Sequence, residues 1–336
     1  MSGAVPSDFL ALPSIDADLA KEVQEALDEV EKLLRESVAV SDPLITDAAS
    51  HLLSAGGKRF RATLVLLASH FGDSAAPELV RAAAVVELTH VATLYHDDVM
   101  DEAKLRRGEP SANQRWGNSV AILAGDYVFA RASEILADLG TDAVRMQART
   151  FGRLVQGQIL ETGGPEEGAD PLEHYLRVIS DKTASLIASS AEFGAMFAGA
   201  GPQITRTITR ACDALGMAFQ LADDILDVAG SSSDSGKVPG TDLREGVLTL
   251  PMLYALRPVE GGGADGRLRE LLGRPLDEAE TEEALSLLRS HPAMDEARAT
   301  TRQWADQARA ELATLPEGRP RRAFEALCDY AVLRSG

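Results

Sequence analysis

The sequence predicts an all-α protein, and three observations carry that expectation. Apolar residues recur at helical spacing from near Asp16 to the end of the 336-residue chain. No stretch alternates apolar and polar residues with period 2 over a useful length. Glycine and proline clusters punctuate the chain at intervals that suit helices rather than strands.

Taken in order, residues 1–13 read as loose. Helices follow over roughly 16–38 and 42–54, the second ending before Gly56-Gly57. The next, 59–71, ends at Gly72-Asp73, and 76–103 runs out before Gly108-Glu109-Pro110. Helices over 117–138 and 141–162 are parted by Gly140 and closed by Gly163-Gly164-Pro165. Two more, 171–180 and 183–200, precede Gly201-Pro202; the second is apolar but rich in Gly, Ala and Ser, with Glu192 inside it. A long helix is expected over 202–229. The polar, turn-rich segment 230–246 (GSSSDSGKVPGTDLREG) follows it directly, where a closing loop would be useful. Helices over 247–257, 265–273, 277–290, 292–313 and 318–334 complete the chain, with Gly261-Gly262-Gly263 among their breaks. No composition shift divides it, so 14–336 is expected to form a single domain.

Composition narrows the function. The chain is 45% hydrophobic and 25% charged, enough for a sizeable core. Its net charge of -19 argues against nucleic acid as a partner, because binding a phosphate backbone wants a basic face. Any phosphate site must therefore be a local basic cluster. Cys212 and Cys328 lack metal-type spacing, and a reducing cytoplasm is expected. The N-terminal stretch does not read as a signal peptide, and no run approaches the ~18 apolar residues of a membrane span.

Two copies of one carboxylate pattern stand far apart. Asp97-Asp98-Val99-Met100-Asp101 and Asp223-Asp224-Ile225-Leu226-Asp227 both read D-D-x-x-D, each at the end of an apolar helical stretch. Residues i and i+4 share a helix face, so each motif projects two carboxylates together and a third beside them. Clustered buried acids need cations, and hard divalent ions that take oxygen ligands, Mg²⁺ above all, share their coordination with substrate phosphates. A lone acidic cluster usually marks only a solvated helix face. Here basic residues accompany both copies: Lys104, Arg106 and Arg107 after the first, Lys237 after the second. Gly56-Gly57-Lys58-Arg59-Phe60-Arg61 opens a helix whose free N–H groups, with lysine and arginine added, suit an anion. Acids for metal beside bases for phosphate suggest diphosphate chemistry.

These residues carry a family resemblance. The chain resembles the trans-isoprenyl (polyprenyl) diphosphate synthases over most of 50–256. The match comprises Gly56-Gly57-Lys58-Arg59-x-Arg61; Glu87-x-x-His90; His96-Asp97-Asp98-x-x-Asp101; Arg106-Arg107-Gly108; Lys182-Thr183-Ala184; Phe219-Gln220-x-x-Asp223-Asp224-x-x-Asp227; and Gly236-Lys237 with Gly240-x-Asp242-Leu243. The resemblance implies a helical bundle around a central cavity, a homodimer, and three Mg²⁺ ions per site. Asp97 and Asp101 would bind two of the ions and Asp223 the third, supported by Asp98, Asp224 and Asp227. Arg106, Lys182, Thr183 and Lys237 would bind the diphosphate of an allylic substrate, with Gln220 nearby. Lys58, Arg61, His90 and Arg107 would bind isopentenyl diphosphate.

A helical wheel adds to this. With Asp97 at zero, Asp101, Asp98, His90 and Glu87 fall between about 20° and 100°. Ala82, Val85, Val86, Thr89, Ala92 and Thr93 occupy the other flank, at about -20° to -140°. That second flank is either a close helix–helix contact or the wall of a tunnel for a growing chain. In the family, aromatic residues four and five places before the first Asp shorten the product. Thr93 and Ala92 stand there, and small side chains leave the space a ring would fill, so a product of roughly C30 to C50 is expected. On the second motif's helix, Gly216 and Gln220 share the Asp223/Asp227 face. One departure is Glu245-Gly246-Val247, where the family often has lysine as the third residue. The alternatives are a synthase of farnesyl or geranylgeranyl diphosphate, a class I terpene cyclase, and a non-catalytic subunit of a two-component synthase. A product so apolar also implies transient contact with a membrane.

Overall fold

The computed structural model describes residues 10–230, 239–257 and 266–334. Among them the chain is helical almost throughout. In order come α1 (Ala17–Val38), α2 (Pro43–Ser54), α3 (Phe60–Ser69) and α4 (Leu79–Met100). A two-stranded antiparallel hairpin, β1 (Leu105–Arg106) and β2 (Glu109–Pro110), precedes α5 (Ala112–Trp116). Then follow α6 (Asn118–Leu139), α7 (Thr141–Gly163), α8 (Pro171–Ile179), a π-helical turn (Ser180–Ala184), α9 (Ser185–Phe197) and α10 (Pro202–Ala229). The chain closes with α11 (Thr241–Glu245), α12 (Leu250–Ala255), α13 (Gly266–Leu271), α14 (Glu278–Arg289), α15 (Ala293–Leu312) and α16 (Arg319–Arg334).

Local chemistry explains the starts. Asp16, Asp42, Asp170 and Asp277 precede α1, α2, α8 and α14, and each carboxylate accepts a backbone N–H of the first turn. Proline follows Asp42 and Asp170 at a position where its missing N–H costs nothing. Asp277 forms a reciprocal capping box with Glu280.

The described residues divide into two compact units. The first holds everything up to Phe151, with Leu186–Thr209 and Leu315–Ala326. Its centre is α4, apolar on most sides and buried accordingly, from Leu79 through Ala82–Leu88 to Tyr95. Helices α1, α3 and α6 pack against it. From α1 come Leu19, Val23, Val30 and Leu34, all but excluded from water. Tyr95 pins α4 to α2: its hydroxyl donates to the Ala48 carbonyl and accepts from Leu52 N at 3.2 Å. The glycines of the predicted 183–200 helix have a purpose here. A Cβ on Gly194 would lie 2.0 Å from the Val65 carbonyl oxygen, so α9 and α3 touch backbone to backbone.

The second unit holds Gly152–Ser185, Arg210–Thr314 and the described residues from Leu327 on. Its core joins Met217, Leu221, Ile225 and Val228 of α10 to Leu250 and Met252 of α12, Leu285 and Leu288 of α14, and Met294 and Ala297 of α15.

Three features depart from the predicted elements. The break expected at 181–182 is absent: the chain runs from α8 through the π turn into α9 without leaving helical geometry. The segment after 103 holds a hairpin and α5, elements too short for periodicity to reveal. Within the polar stretch 230–246, residues 241–245 form α11, whereas 231–238, with Gly236 and Lys237, lie outside the described residues. Of the N-terminal 1–13, residues 1–9 also lie outside them.

Replacing Gly194 with alanine should lower stability by about 1–3 kcal/mol, the usual cost of overpacking a dense core. Urea unfolding reads this as a lower midpoint at unchanged slope; an unmoved midpoint would refute the close approach.

Candidate active site

In the first unit, the end of α4 and the loops around it collect charge. Asp97 and Asp101 are one turn apart, and Asp101 closes the helix, its N–H donating to the Asp97 carbonyl at 2.8 Å. Asp101 is exposed and Asp97 half-buried. Asp98 turns inward and is fully buried. Its Oδ1 accepts from Arg106 Nε at 2.6 Å, whereas Oδ2 has no hydrogen-bond partner among the described residues. Burial pushes the Asp98 carboxyl up and Arg106 opposes that rise.

Arg106 and Arg107 sit on the hairpin, at and just after β1, where Arg107 (φ 55°) and Gly108 (φ 81°) make the turn. The hairpin is anchored to α2: His51 Nε2 meets the Pro110 carbonyl at 2.7 Å. Arg107 Nη1 donates to the carbonyls of Leu52, at 2.7 Å, and Gly56. Those carbonyls belong to the end of α2, where a cation is favoured. Gly57 lies flat on the Arg107 guanidinium; a Cβ there would sit 2.9 Å from Nη2. Gly57 thus leaves room for an arginine.

The start of α3 differs from its expected role as an open anion site. Glu87 of α4 is buried, and its Oε1 accepts from Ala62 N at 3.0 Å, capping α3 from outside. Its other oxygen lies 3.9 Å from Arg59 Nη1. Glu87, on the same flank as Asp98 and His90 in the wheel, is therefore committed to α3 and Arg59. Lys58 is exposed, and the Nε of half-buried Arg61 is enclosed without a hydrogen-bond partner among the described residues. Burial holds the half-buried His90 ring well below the ordinary histidine range, and Arg61, Arg107, Arg106 and Arg59 reinforce this in that order. Arg59 and Arg106 face carboxylates and Arg107 faces carbonyls, so the demand for an anion centres on Arg61.

The other flank of α4 is fully packed. Ala82, Val85, Val86 and Thr89 are buried completely and Ala92 nearly so. A Cβ on Gly125 of α6 would stand 3.1 Å from the Ala92 carbonyl oxygen and 2.5 Å from His96 Nε2. Thr89 accepts from buried Gln147 of α7 at 2.6 Å. Thr93 is turned back on its own helix, donating to the His90 carbonyl. At Ala92 the described residues show the close helix contact, one of the two readings of this flank.

The second unit organises the other motif. Asp223 is half exposed and pairs with Arg334 of α16 at 2.7 Å. Asp224 is buried: Tyr175 of α8 donates to its Oδ2 and Gln220 donates to its Oδ1 at 2.8 Å. Burial raises the Asp224 pKa to about 7 against the pull of those two donors, and neighbouring Asp223 and Asp227 add to the rise. Asp227 has a structural task. Its two carboxylate oxygens accept the N–H groups of Thr241 and Asp242 at 3.1 Å each, and its carbonyl accepts Gly240 N at 2.8 Å. It therefore ties α11 to the end of α10.

Lys182 and Thr183 occupy the π turn, the kind of helix distortion that recurs at functional sites. A stripe on α7 at four-residue spacing grips this turn. Arg153 Nε donates to Asp181 Oδ1 at 3.0 Å, Gly157 lets the two backbones meet, and Glu161 pairs with Lys182 Nζ. A Cβ on Gly157 would be 2.5 Å from Lys182 N. Thr183 Oγ1 donates to Gln220 Oε1 at 3.2 Å, so Thr183, Gln220, Asp224 and Tyr175 form one chain of hydrogen bonds. Sequence reasoning missed Tyr175, Glu161, Arg153 and Arg334; only Gly157, a helix-interior glycine, hinted at the close approach.

The donor set suits a hard divalent cation, since every acid of both motifs offers carboxylate oxygen. No three His, Cys, Asp or Glu side chains converge into a preformed metal cage among the described residues. Mg²⁺ keeps much of its water and borrows ligands from substrate phosphates. The orphaned Oδ2 of Asp98 points the same way.

Comparison with known proteins decides the family. The family model for polyprenyl synthetases matches residues 42–288. The chain belongs to this family. A nonaprenyl diphosphate synthase of Mycobacterium tuberculosis is 50% identical over 325 residues, 96% of either chain. A geranylgeranyl pyrophosphate synthase of Corynebacterium glutamicum, solved with calcium and isoprenyl diphosphate, superposes with a TM-score of 0.85 at 45% identity, covering 96% of this chain and 98% of that one. A decaprenyl diphosphate synthase of Rhodobacter capsulatus gives 0.86 at 35% identity, covering 95% and 99%. This polyprenyl synthetase is thus an all-α prenyltransferase, as its motifs implied.

His90 yields a test of the first cluster. Its folded pKa lies below the ~6.5 of an unfolded histidine. Between those values the unfolded chain binds a proton that the folded one refuses, so stability falls as pH drops below about 6.5. His90→Gln should make that fall shallower, by up to about 1.4 kcal/mol per pH unit, in urea titrations from pH 7 to 5. An unchanged slope would show that His90 is not held neutral.

Proposed function

We propose that this prenyltransferase extends an allylic diphosphate by repeated head-to-tail condensation with isopentenyl diphosphate, releasing a long all-trans polyprenyl diphosphate. The observation that carries the proposal is the cluster of Arg59, Arg61, Arg106 and Arg107 acting on His90, in which two enclosed guanidinium nitrogens, Arg59 Nη1 and Arg61 Nε, have no hydrogen-bond partner among the described residues. A site of that kind is built for a multiply charged anion. Lys58, Arg61, His90 and Arg107 bind isopentenyl diphosphate. Arg106, Lys182, Thr183 and Lys237 bind the allylic diphosphate, with Gln220 beside it; Lys237 is assigned from its motif alone. Asp97, Asp101 and Asp223 would hold Mg²⁺, three ions per site, with Asp98, Asp224 and Asp227 in support. When bound, Mg²⁺ neutralises charge that develops on the leaving diphosphate.

In each cycle the allylic C1–O bond breaks and its electron pair leaves with the diphosphate. The isopentenyl double bond attacks C1 of the allyl cation, forming the new C–C bond. The proton next lost from C2 of the isopentenyl unit restores a double bond, and the departed diphosphate is its acceptor. Arg106, held by Asp98, and Lys182 stabilise the leaving group as its charge grows.

The long product, roughly C30 to C50, rests on the small side chains at Ala92 and Thr93 and on likeness to the nonaprenyl and decaprenyl synthases. A homodimer suits the apolar surface that α6 leaves uncovered, where Ile122 is 42% and Leu123 65% exposed. The free, buried Cys212 and Cys328 suit the cytoplasm. Among the described residues no helix is long and apolar enough to cross a membrane; transient contact with one is proposed because so apolar a product needs a membrane to receive it.

Asp97→Ala and Asp223→Ala should each cut turnover at least about a hundredfold; near-full activity of either would end the metal assignment. Ala92→Phe should shorten the product ladder, with melting followed in parallel because the site is tightly packed. An unchanged ladder from a folded variant would remove Ala92 from chain-length control.

A further inference from the structure

Arg59 stands between two residues assigned to isopentenyl diphosphate, Lys58 and Arg61, yet it points away from them. It is the N-cap of α3, only 6% exposed, and its backbone is left-handed at φ 45°. That conformation is uncommon for a residue with a side chain and must be held from outside. The holding is visible. Arg59 Nε and Nη2 both donate to the carboxylate of Glu31, the second at 3.3 Å. Nη2 also donates to the Leu53 carbonyl at 3.0 Å, and Nη1 faces Glu87 at 3.9 Å. The Arg59 carbonyl accepts from Thr63 N at 2.9 Å and Thr63 Oγ1 at 2.8 Å, which starts α3.

Glu31 sits mid-way along α1, far in sequence from every motif. Its side chain is 13% exposed, and it answers Arg59 with the two-pronged geometry at which a carboxylate binds arginine most strongly. The two residues before Lys58 are Gly56 (φ 86°) and Gly57 (φ 156°), so the backbone supplies little stiffness of its own; Arg107 holds the loop on one side at the Gly56 carbonyl, and Arg59 holds it on the other. Where Lys58 and Arg61 lie therefore depends on where Arg59 is tied.

We propose that Glu31 is a positioning residue of the isopentenyl diphosphate site: by clamping Arg59 it fixes the left-handed start of α3 and with it the flanking cations Lys58 and Arg61. The inference rests on the reading that those two cations bind isopentenyl diphosphate. Glu31 touches no substrate, and its removal loosens one binding step and leaves the chemistry intact.

The test is steady-state kinetics of Glu31→Gln, Glu31→Asp and Arg61→Ala beside the wild type, with melting recorded for each. Glu31→Gln keeps the size and loses the charge. It should raise KM for isopentenyl diphosphate about five- to tenfold, as expected for roughly 1–1.4 kcal/mol of lost preorganisation. Both kcat and KM for the allylic substrate should stay within about twofold of wild type. Glu31→Asp, which restores the charge, should recover part of the loss. If Arg61→Ala raises KM for isopentenyl diphosphate and folded Glu31→Gln does not, the positioning role is refuted. It is refuted equally if Glu31→Gln or Glu31→Asp lowers kcat and weakens both substrates in step with lost thermal stability. If Arg61→Ala itself leaves that KM unchanged, the site assignment falls, and the role of Glu31 falls with it.

Discussion

The demand that buried charge be answered governs this molecule. Asp98, Glu87, Asp224 and Arg59 are all taken nearly out of water, and each would be costly if left alone. Each has partners drawn from another segment of the chain: Arg106 for Asp98, Ala62 N–H for Glu87, Tyr175 for Asp224, Glu31 for Arg59. These pairings decide which helix ends and loops are fixed. In the first unit they tie α1, α3, α4 and the hairpin together around one cationic cluster. In the second they tie α8, the π turn and α10 around the second acid motif. Among the described residues Asp98 Oδ2, Arg61 Nε and Arg59 Nη1 accept or donate no hydrogen bond, and of these Arg59 Nη1 still faces Glu87 at 3.9 Å, so the answering is least complete at Asp98 Oδ2 and Arg61 Nε. One calls for a cation and the other for an anion, which is the combination a metal diphosphate brings.

The acids of each motif consequently divide their labour by depth. In the first, Asp97 and Asp101 lie toward the surface of α4 while Asp98 anchors Arg106 from within. In the second, Asp223 is outermost, Asp224 is buried in a hydrogen-bonded chain, and Asp227 holds α11 in place. A pattern repeated in sequence is thus not repeated in role. The third aspartate is a helix-ending, exposed acid in one copy and a tether between helices in the other.

Most of the helices were legible because their signals are local: apolar spacing and Gly or Pro breaks appear in any window of the chain. The candidate site was legible as a set of residue types, since paired acids near basic clusters have few chemical uses. What could not be read was partnership. Nothing in the spacing of α1 ties Glu31 to Arg59, nor Tyr175 to Asp224, because such pairs form only once distant helices pack. The hairpin bearing Arg106 and the π turn bearing Lys182 were hidden for another reason. Both are too short to show a period, and both depend on neighbours, α2 for the one and Gly157 of α7 for the other. The wheel around Asp97 could group Glu87 with Asp98 and His90 but not reveal that its carboxylate serves the start of α3.

The most direct test is the product itself. The purified protein would be incubated with isopentenyl diphosphate, Mg²⁺ and each of the C5, C10, C15 and C20 allylic diphosphates, and the dephosphorylated products weighed by mass spectrometry. Repeated condensation at this site predicts Mg²⁺-dependent diphosphate release and an all-trans ladder whose end lies beyond C20, roughly C30 to C50, as the small residues at 92 and 93 imply. A ladder ending at C15 or C20 would contradict the chain-length reading, and absence of any elongation by the protein alone would contradict the proposed reaction as a whole.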